Sequence, residues 1–187
     1  MPTPFQSLKG KFLLDNGSLD GTFFGRTVVL ICEHNTKGAF GLVLNKSVDT
    51  TIGSALAAEL TEEMKNSPLY VGGPVQTNSL SFLYEAEEEP FGQHIIDRVC
   101  LGHSLDELQE LAQDSGPGLK VKIFAGYSGW SSGQLEDEIQ RDSWLILEAH
   151  SREVFDRDPA SLWRRILTQL GWQYKLIADF PEEPGWN

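Results

Sequence analysis

Two continuous apolar runs dominate the first quarter of the chain, Thr27 to Cys32 (TVVLIC) and Ala39 to Leu44 (AFGLVL). Runs without polar alternation predict strands covered on both faces. Asn35-Thr36-Lys37-Gly38 between them is turn chemistry, and so short a link predicts an antiparallel hairpin. Further strands are predicted at Lys11 to Leu14, Leu69 to Val71, Ser81 to Tyr84, His94 to Leu101, Leu119 to Ala125 and Trp144 to Ala149.

Helical periodicity is sparser. Ile52, Leu56 and Leu60 recur at i, i+4, i+8 and predict a short helix over Thr51 to Leu60. Ser104 and Glu107 form an S-x-x-E capping box ahead of Leu105, Leu108 and Leu111. Gln134 to Arg141 has only Leu135 and Ile139 on its apolar face and reads as a thin surface helix. Asp158-Pro159 reads as N-cap and first helical residue of a helix lined by Leu162, Trp163, Ile166, Leu167 and Leu170, with Gly171 as its stop. Glu85 to Glu89 holds four glutamates and reads as a solvated loop or edge.

Strands and helices alternate without a βαβ period. The pattern predicts an α+β fold: one compact domain over residues 1–187, with mixed, coiled sheet and about four short helices. Its core runs from about residue 10 to 178, and 179–187 is expected to fray.

Composition narrows the function. The chain has 187 residues, 15 Lys plus Arg against 27 Asp plus Glu, and a formal charge of −12. Such a surface repels phosphate backbones and anionic lipid, which disfavours direct nucleic-acid or membrane partners. No apolar run approaches the ~20 residues of a membrane span, and the N-terminus lacks an export signal. The expectation is a cytoplasmic protein with both cysteines, Cys32 and Cys100, reduced.

Four polar or glycine-rich clusters stand out. Cys32-Glu33-His34-Asn35 ends a buried strand; strand alternation sets Cys32 and His34 on one face and Glu33 on the other. Glu33 or His34 could serve as a base; the plainer reading is that His34 and Asn35 close the hairpin by bonding turn amides. Cys32-x-His34 with Cys100-x-x-His103 would supply two sulfurs and two nitrogens for zinc. That spacing is too tight for a usual knuckle and both thiols sit in apolar runs, so no metal or other cofactor is expected. Gly72-Gly73-Pro74 lacks the lysine of a phosphate loop and reads as a close backbone approach. Gly126 to Gly133 could form a pocket wall or a corner packed by Trp130. Gln134, Glu136, Asp137 and Glu138 suit a helix N-terminus and read as a solvated face.

Taken in order, these pieces resemble the YqgE/AlgH family of bacterial proteins. The carriers are Thr27 to Asn35, Gly38 to Lys46, Val71-Gly72-Gly73-Pro74-Val75, Gly126-Tyr127-Ser128-Gly129-Trp130 and Gly133-Gln134-Leu135-Glu136-x-Glu138, within about residues 10 to 148. The chain departs from the family at Leu13-Leu14-Asp15-Asn16-Gly17, where L-I-A-x-P is usual, and at Asp20-Gly21-Thr22-Phe23, where D-P-x-F is usual. The resemblance implies a compact α+β fold with coiled, branched sheets and no established activity. One member's name is tied to alginate regulation, and some members carry a transcriptional-regulator label. The motif residues Glu33, His34, Asn35, Asn45, Gly72, Gly73, Tyr127, Trp130, Gln134 and Glu136 are then the candidate surface for a small ligand or a protein partner. The leading expectation is a binding or regulatory module. The alternatives are a hydrolase or lyase using Glu33 and His34, and a transcriptional regulator.

Overall fold

In the computed structural model, residues 5–86, 92–114, 116 and 118–179 are described. Ten strands form one curled sheet: β1 (Lys11–Asp15), β2 (Val28–Asn35), β3 (Gly38–Val43), β4 (Ser47–Thr51), β5 (Pro68–Val71), β6 (Val75–Glu85), β7 (Gln93–Ile96), β8 (Val99–Gly102), β9 (Val121–Ser131) and β10 (Trp144–Glu148). The main path runs β10-β1-β2-β3-β9-β6-β8-β7, and β4 joins through β5. Every pairing is antiparallel except that of β5 with β9. The long β9 branches the sheet. On one edge its first half pairs with β5, at Ile123 to Ala125, and its second half with β3, at Ser128 to Ser131.

Val28 to Cys32 is buried throughout. Val28, Leu30 and Cys32 join a core with Phe12, Leu42, Phe124, Trp163 and Leu167, closed by the C-terminal helices α5 (Ser151–Val154), α6 (Leu162–Leu170) and α7 (Trp172–Asp179). Val29 and Ile31 join Leu13, Val43, Trp130 and Trp144 under α4 (Gln134–Gln140). The continuous apolar run therefore does mean burial on both faces. A third core packs Phe82, Tyr84, Cys100 and Ile123 against α1 (Ile52–Ala55), α2 (Glu62–Asn66) and α3 (Leu105–Asp114).

Several predicted elements change shape. The helix over Thr51 to Leu60 shrinks to the single turn of α1. Leu56 is already extended, and Ile52 and Leu60 reach the core without helical continuity. A new helix begins at Thr61, whose hydroxyl caps the Met64 amide. His94 to Leu101 is a hairpin rather than one strand: Asp97-Arg98 turn it, with Arg98 at φ 61°. The glycine-rich stretch after Ala125 continues β9 as far as Ser131. Asp158 does not cap a helix backbone. Its carboxylate takes the Ser161 hydroxyl, a 3-10 turn occupies Pro159–Ser161, and α6 starts at Leu162. The short elements β4, α2 and α5, and the helix α7, lack a periodic signal in the sequence. The capping box forms as drawn: Glu107 Oε2 accepts from the His103 and Ser104 amides, and Ser104 Oγ accepts from Glu107. Of the tail expected over 179–187, Asp179 is the last residue of α7 and 180–187 lie outside the described residues, as do Glu87 to Glu89.

Candidate functional site

The end of β2 carries an irregularity that alternation cannot foresee. Ile31 pairs with Gly41, and Glu33 pairs with Phe40, so Cys32 is the extra residue of a β-bulge. Phe40 packs toward the Cys32 core and Ala39, which pairs with His34, toward the Trp130 core. Glu33 thus shares a face with Cys32, and His34 faces away from both. The two candidate bases point apart.

His34 does not close the hairpin either. Its side chain is 1% exposed, and both ring nitrogens are taken. Nδ1 accepts the Leu8 amide at 3.0 Å, which assigns the ring proton to Nε2; that nitrogen donates to Glu136 Oε1 at 3.0 Å. Ser7 Oγ bonds the His34 carbonyl, and Phe5 meets the imidazole edge-on at 4.9 Å. His34 ties the N-terminal segment to α4. Asn35 does serve the turn, accepting the Lys37 amide at 2.8 Å. Glu33 is exposed beside β7, where the Gln93 amide can donate to it at 2.9 Å while accepting from Lys9.

Two of the three carboxylates of α4, Glu136 and Glu138, are anchors rather than part of a solvated face; Asp137 is exposed as expected. Glu138 Oε2 accepts both the Trp130 and Trp144 indole N–H groups, at 2.9 and 2.8 Å, and its Oε1 accepts Gln134 Nε2 at 3.1 Å. Gln134 Oε1 in turn takes the Ser131 amide and hydroxyl. With Leu135 buried between, the G-Q-L-E-x-E motif bolts a short amphipathic helix onto the sheet.

The remaining motif residues are similarly placed. Asn45 Oδ1 accepts the Val28 amide and its Nδ2 donates to the Arg26 carbonyl, fixing the start of β2. A Cβ on Gly72 would stand 2.4 Å from the Gly126 carbonyl oxygen, and one on Gly73 2.1 Å from the Tyr127 backbone. These glycines allow two backbones to cross, and the Gly72 amide is already bonded to Ala125. Tyr127 lies against Phe40 at 4.9 Å on the opposite side of β9 from Trp130. The structure therefore brings His34, Gln134, Glu136 and Trp130 together around α4. It leaves Glu33, Asn45, the glycine pair and Tyr127 elsewhere.

The two cysteines sit in different cores. Burial, with Glu33 nearby, pushes the Cys32 thiol well above its ordinary range, so a nucleophilic thiolate is disfavoured. Among the described residues no group of three His, Cys, Asp or Glu side chains is placed to hold a metal ion.

A residue outside these motifs, Lys122, floors a separate cleft. Lys122 on β9 is 4% exposed and lines a cleft of about 650 Å³ between β5, β9 and the segment after α5. Its Nζ donates to the Leu44 carbonyl at 3.1 Å and lies 4.5 Å from the centre of the Tyr70 ring. Asp156 lines the same cleft, but its oxygens are committed to Arg165 and the Asp158 amide. Burial lowers the Lys122 pKa to about 8, against a weaker upward pull from Asp156. Burial, with Asp156, pushes the Tyr70 hydroxyl up, so it stays protonated at neutral pH. Lys120 and Arg157 stand at the same opening. The only signal in the sequence is a lysine inside the otherwise apolar V-K-I-F of a strand. A second cleft, of about 670 Å³, is lined by Arg26, Asn45, Lys46 and Arg164. There Arg164 pairs with Asp179, and Lys46 has the Phe23 carbonyl and ring as Lys122 has the Leu44 carbonyl and the Tyr70 ring, but Lys46 is partly exposed to water.

Fold and site together define a single-domain α+β protein with a curled, branched half-barrel sheet and a lysine-floored cleft at its branch. A family model described as AlgH-like (DUF179) matches residues 12–175, and the chain belongs to that family. A UPF0301 protein of Cytophaga hutchinsonii is 39% identical over 96% of this chain and 98% of its own length. One from Chlorobaculum parvum is 35% identical over the full length of both. The solution structure of AlgH from Pseudomonas aeruginosa is 29% identical with a TM-score of 0.73, covering 97% of each chain. A crystal structure of a Corynebacterium diphtheriae protein, 22% identical over 95% of each chain, shares the fold at a TM-score of 0.77. Among the described residues no helix is long and apolar enough to cross a membrane.

Proposed function

We propose that this protein is a cytoplasmic binding module whose cleft at Lys122 takes a small anionic ligand. One observation carries the reading: a nearly buried ammonium has, among the described residues, a single hydrogen-bond acceptor, the Leu44 carbonyl. Burying a charge costs on the order of several kcal/mol unless it is paired and bonded. Asp156 is spent on Arg165, so a ligand carboxylate or phosphate is the natural missing acceptor. The cleft volume suits a metabolite-sized molecule. Arg157 and Lys120 bring two further cations to the cleft on a chain of net charge −12, although Lys120 is paired with Glu85 and Glu63 lines the same cleft. The same net charge opposes a polyanion as long as a nucleic acid.

The test is a thermal-shift panel of small carboxylates, phosphates and sugar phosphates on wild type, Lys122→Met and Glu33→Gln. At 100 times its Kd a ligand adds ~2.7 kcal/mol, several degrees for a domain of this size. The shift should vanish in Lys122→Met and persist in Glu33→Gln. A flat panel, or a shift that survives Lys122→Met, removes the reading.

A second reading, docking of a protein partner, is favoured by α7. Trp172 and Leu176 stand one turn apart on it, 77% and 60% exposed. Solution complexes that survive Lys122→Met but are lost in Trp172→Ala with Leu176→Ala would support it.

A further inference from the structure

We infer that Lys122 is the amine of an imine-forming site for a small carbonyl acid, an α-keto or α-aldehyde carboxylate. The inference rests on the ligand cleft proposed above and adds its chemistry. An amine that forms an imine must be accessible, partly neutral, and free of an ion pair that would hold it charged. Lys122 lines an open cleft, lies against the Tyr70 ring, and has a neutral carbonyl rather than a carboxylate as its hydrogen-bond partner. Desolvation leaves a substantial neutral fraction near pH 8. Lys46 also has a carbonyl and a ring as partners, those of Phe23, but is more exposed than Lys122. Lys120 is paired with Glu85, and Lys65 with Glu62.

The step balances without an oxidant or reductant. Lys122 Nζ attacks the carbonyl carbon and forms the C–N bond. The carbonyl oxygen then leaves as water, carrying both hydrogens of the neutral amine, and a C=N bond remains. The ligand carboxylate is left to face Arg157, which lines the same cleft. The Tyr70 hydroxyl, which lines the same cleft, can relay one of these hydrogens, giving its own proton to the departing oxygen and regaining one from the nitrogen.

The experiment uses the full chain, glyoxylate as the probe and cyanoborohydride as the trap, followed by peptide mapping over time. Lys122 should gain its carboxymethyl group at least about tenfold faster than Lys37, Lys65 or Lys120. Excess succinate, an anion without a carbonyl, should slow Lys122 alone. In Lys122→Arg the fast phase should disappear; Lys122→Met does the same job where the guanidinium disturbs the fold. Labelling of Lys122 no faster than of the exposed lysines overturns the imine. If the anion panel still stabilises the wild type through Lys122, that result leaves the ligand cleft standing. If both fail, both readings fall.

Discussion

Trp130 and Trp144, on strands separated by three others in the sheet, donate to the same oxygen, Oε2 of Glu138. Both indoles are buried, so this carboxylate is the acceptor that lets two large rings pack under α4. Glu138→Ala would leave two buried N–H donors without a partner, at ~1–3 kcal/mol each. We expect a loss of about 2–5 kcal/mol in denaturant unfolding. Glu138→Gln, which keeps an acceptor, should lose about half as much or less. Equal stability of Glu138→Ala and wild type would show that the clasp is incidental.

The His34 link predicts a local effect. His34→Ala removes the acceptor of the Leu8 amide and the partner of Glu136. Hydrogen exchange should accelerate at Leu8 and across residues 5–9, while amides in the centre of β2 change far less. Global stability should fall by about 1–3 kcal/mol. Unchanged Leu8 exchange would contradict the tether.

The glycines of the backbone crossing should be intolerant where others are not. Gly73→Ala puts a methyl 2.1 Å from backbone atoms of Tyr127, with no flexible side chain to yield. It should destabilise by about 4 kcal/mol or more, or abolish soluble expression. Gly133→Ala, at φ 78° but in open space, should cost only ~1–2 kcal/mol. Comparable melting temperatures for the two variants would sink this account of the G-G-P motif.

Asp15 offers a further test in the first loop. Its buried carboxylate accepts the Gly17, Leu19 and Arg26 amides at 2.9, 3.0 and 2.8 Å. Asp15→Ala should cost about 4 kcal/mol or more, since three bonds to a charged group are lost at ~1.5–3 each. A variant within 1 kcal/mol of wild type, roughly the scale of one ordinary hydrogen bond, would be inconsistent with that role.

Much of this fold was legible where local rules act alone. The β2–β3 hairpin followed from two apolar runs and a turn, and the Ser104–Glu107 box formed bond for bond. The motif residues around α4 were visible as unusual, but their roles were not. Periodicity cannot show that Glu136 and Glu138 turn inward to a histidine and two indoles. Glu33 and His34 lie on opposite faces as alternation predicts, but Glu33 rather than His34 joins the Cys32 face, because one bulge at Cys32 breaks the alternation. The single turn of α5 carries almost no periodic signal, whereas at α1 the spacing of Ile52, Leu56 and Leu60 promised a longer helix than the one turn that forms. Lys122 was missed because a lysine in a strand ordinarily snorkels to water; here the Leu44 carbonyl and Tyr70 ring hold it inside.

Lys122 also fixes a pH dependence. Its pKa is about 8 in the folded protein, against 10.5 for a free lysine. Below about pH 8 both states are protonated, and the burial penalty is fully present. Between about 8 and 10.5 the unfolded chain holds more protons, so stability rises with pH. By Lys122 alone that rise is roughly 3 kcal/mol. Lys122→Met should flatten it, and the difference between the two proteins should be the readout, because burial also shifts Lys46 down and Tyr70 up. Parallel stability curves for both proteins across this window would rule the assignment out.

The most direct measurement is a pH titration of the lysine ε-carbons by NMR in isotopically labelled protein, without and with a small carboxylate such as succinate. The account predicts one resonance with a midpoint near 8, absent from Lys122→Met, whose midpoint rises when the anion binds beside it. If every lysine titrates near 10.5, or the low midpoint is indifferent to the anion, Lys122 is not the floor of a ligand site.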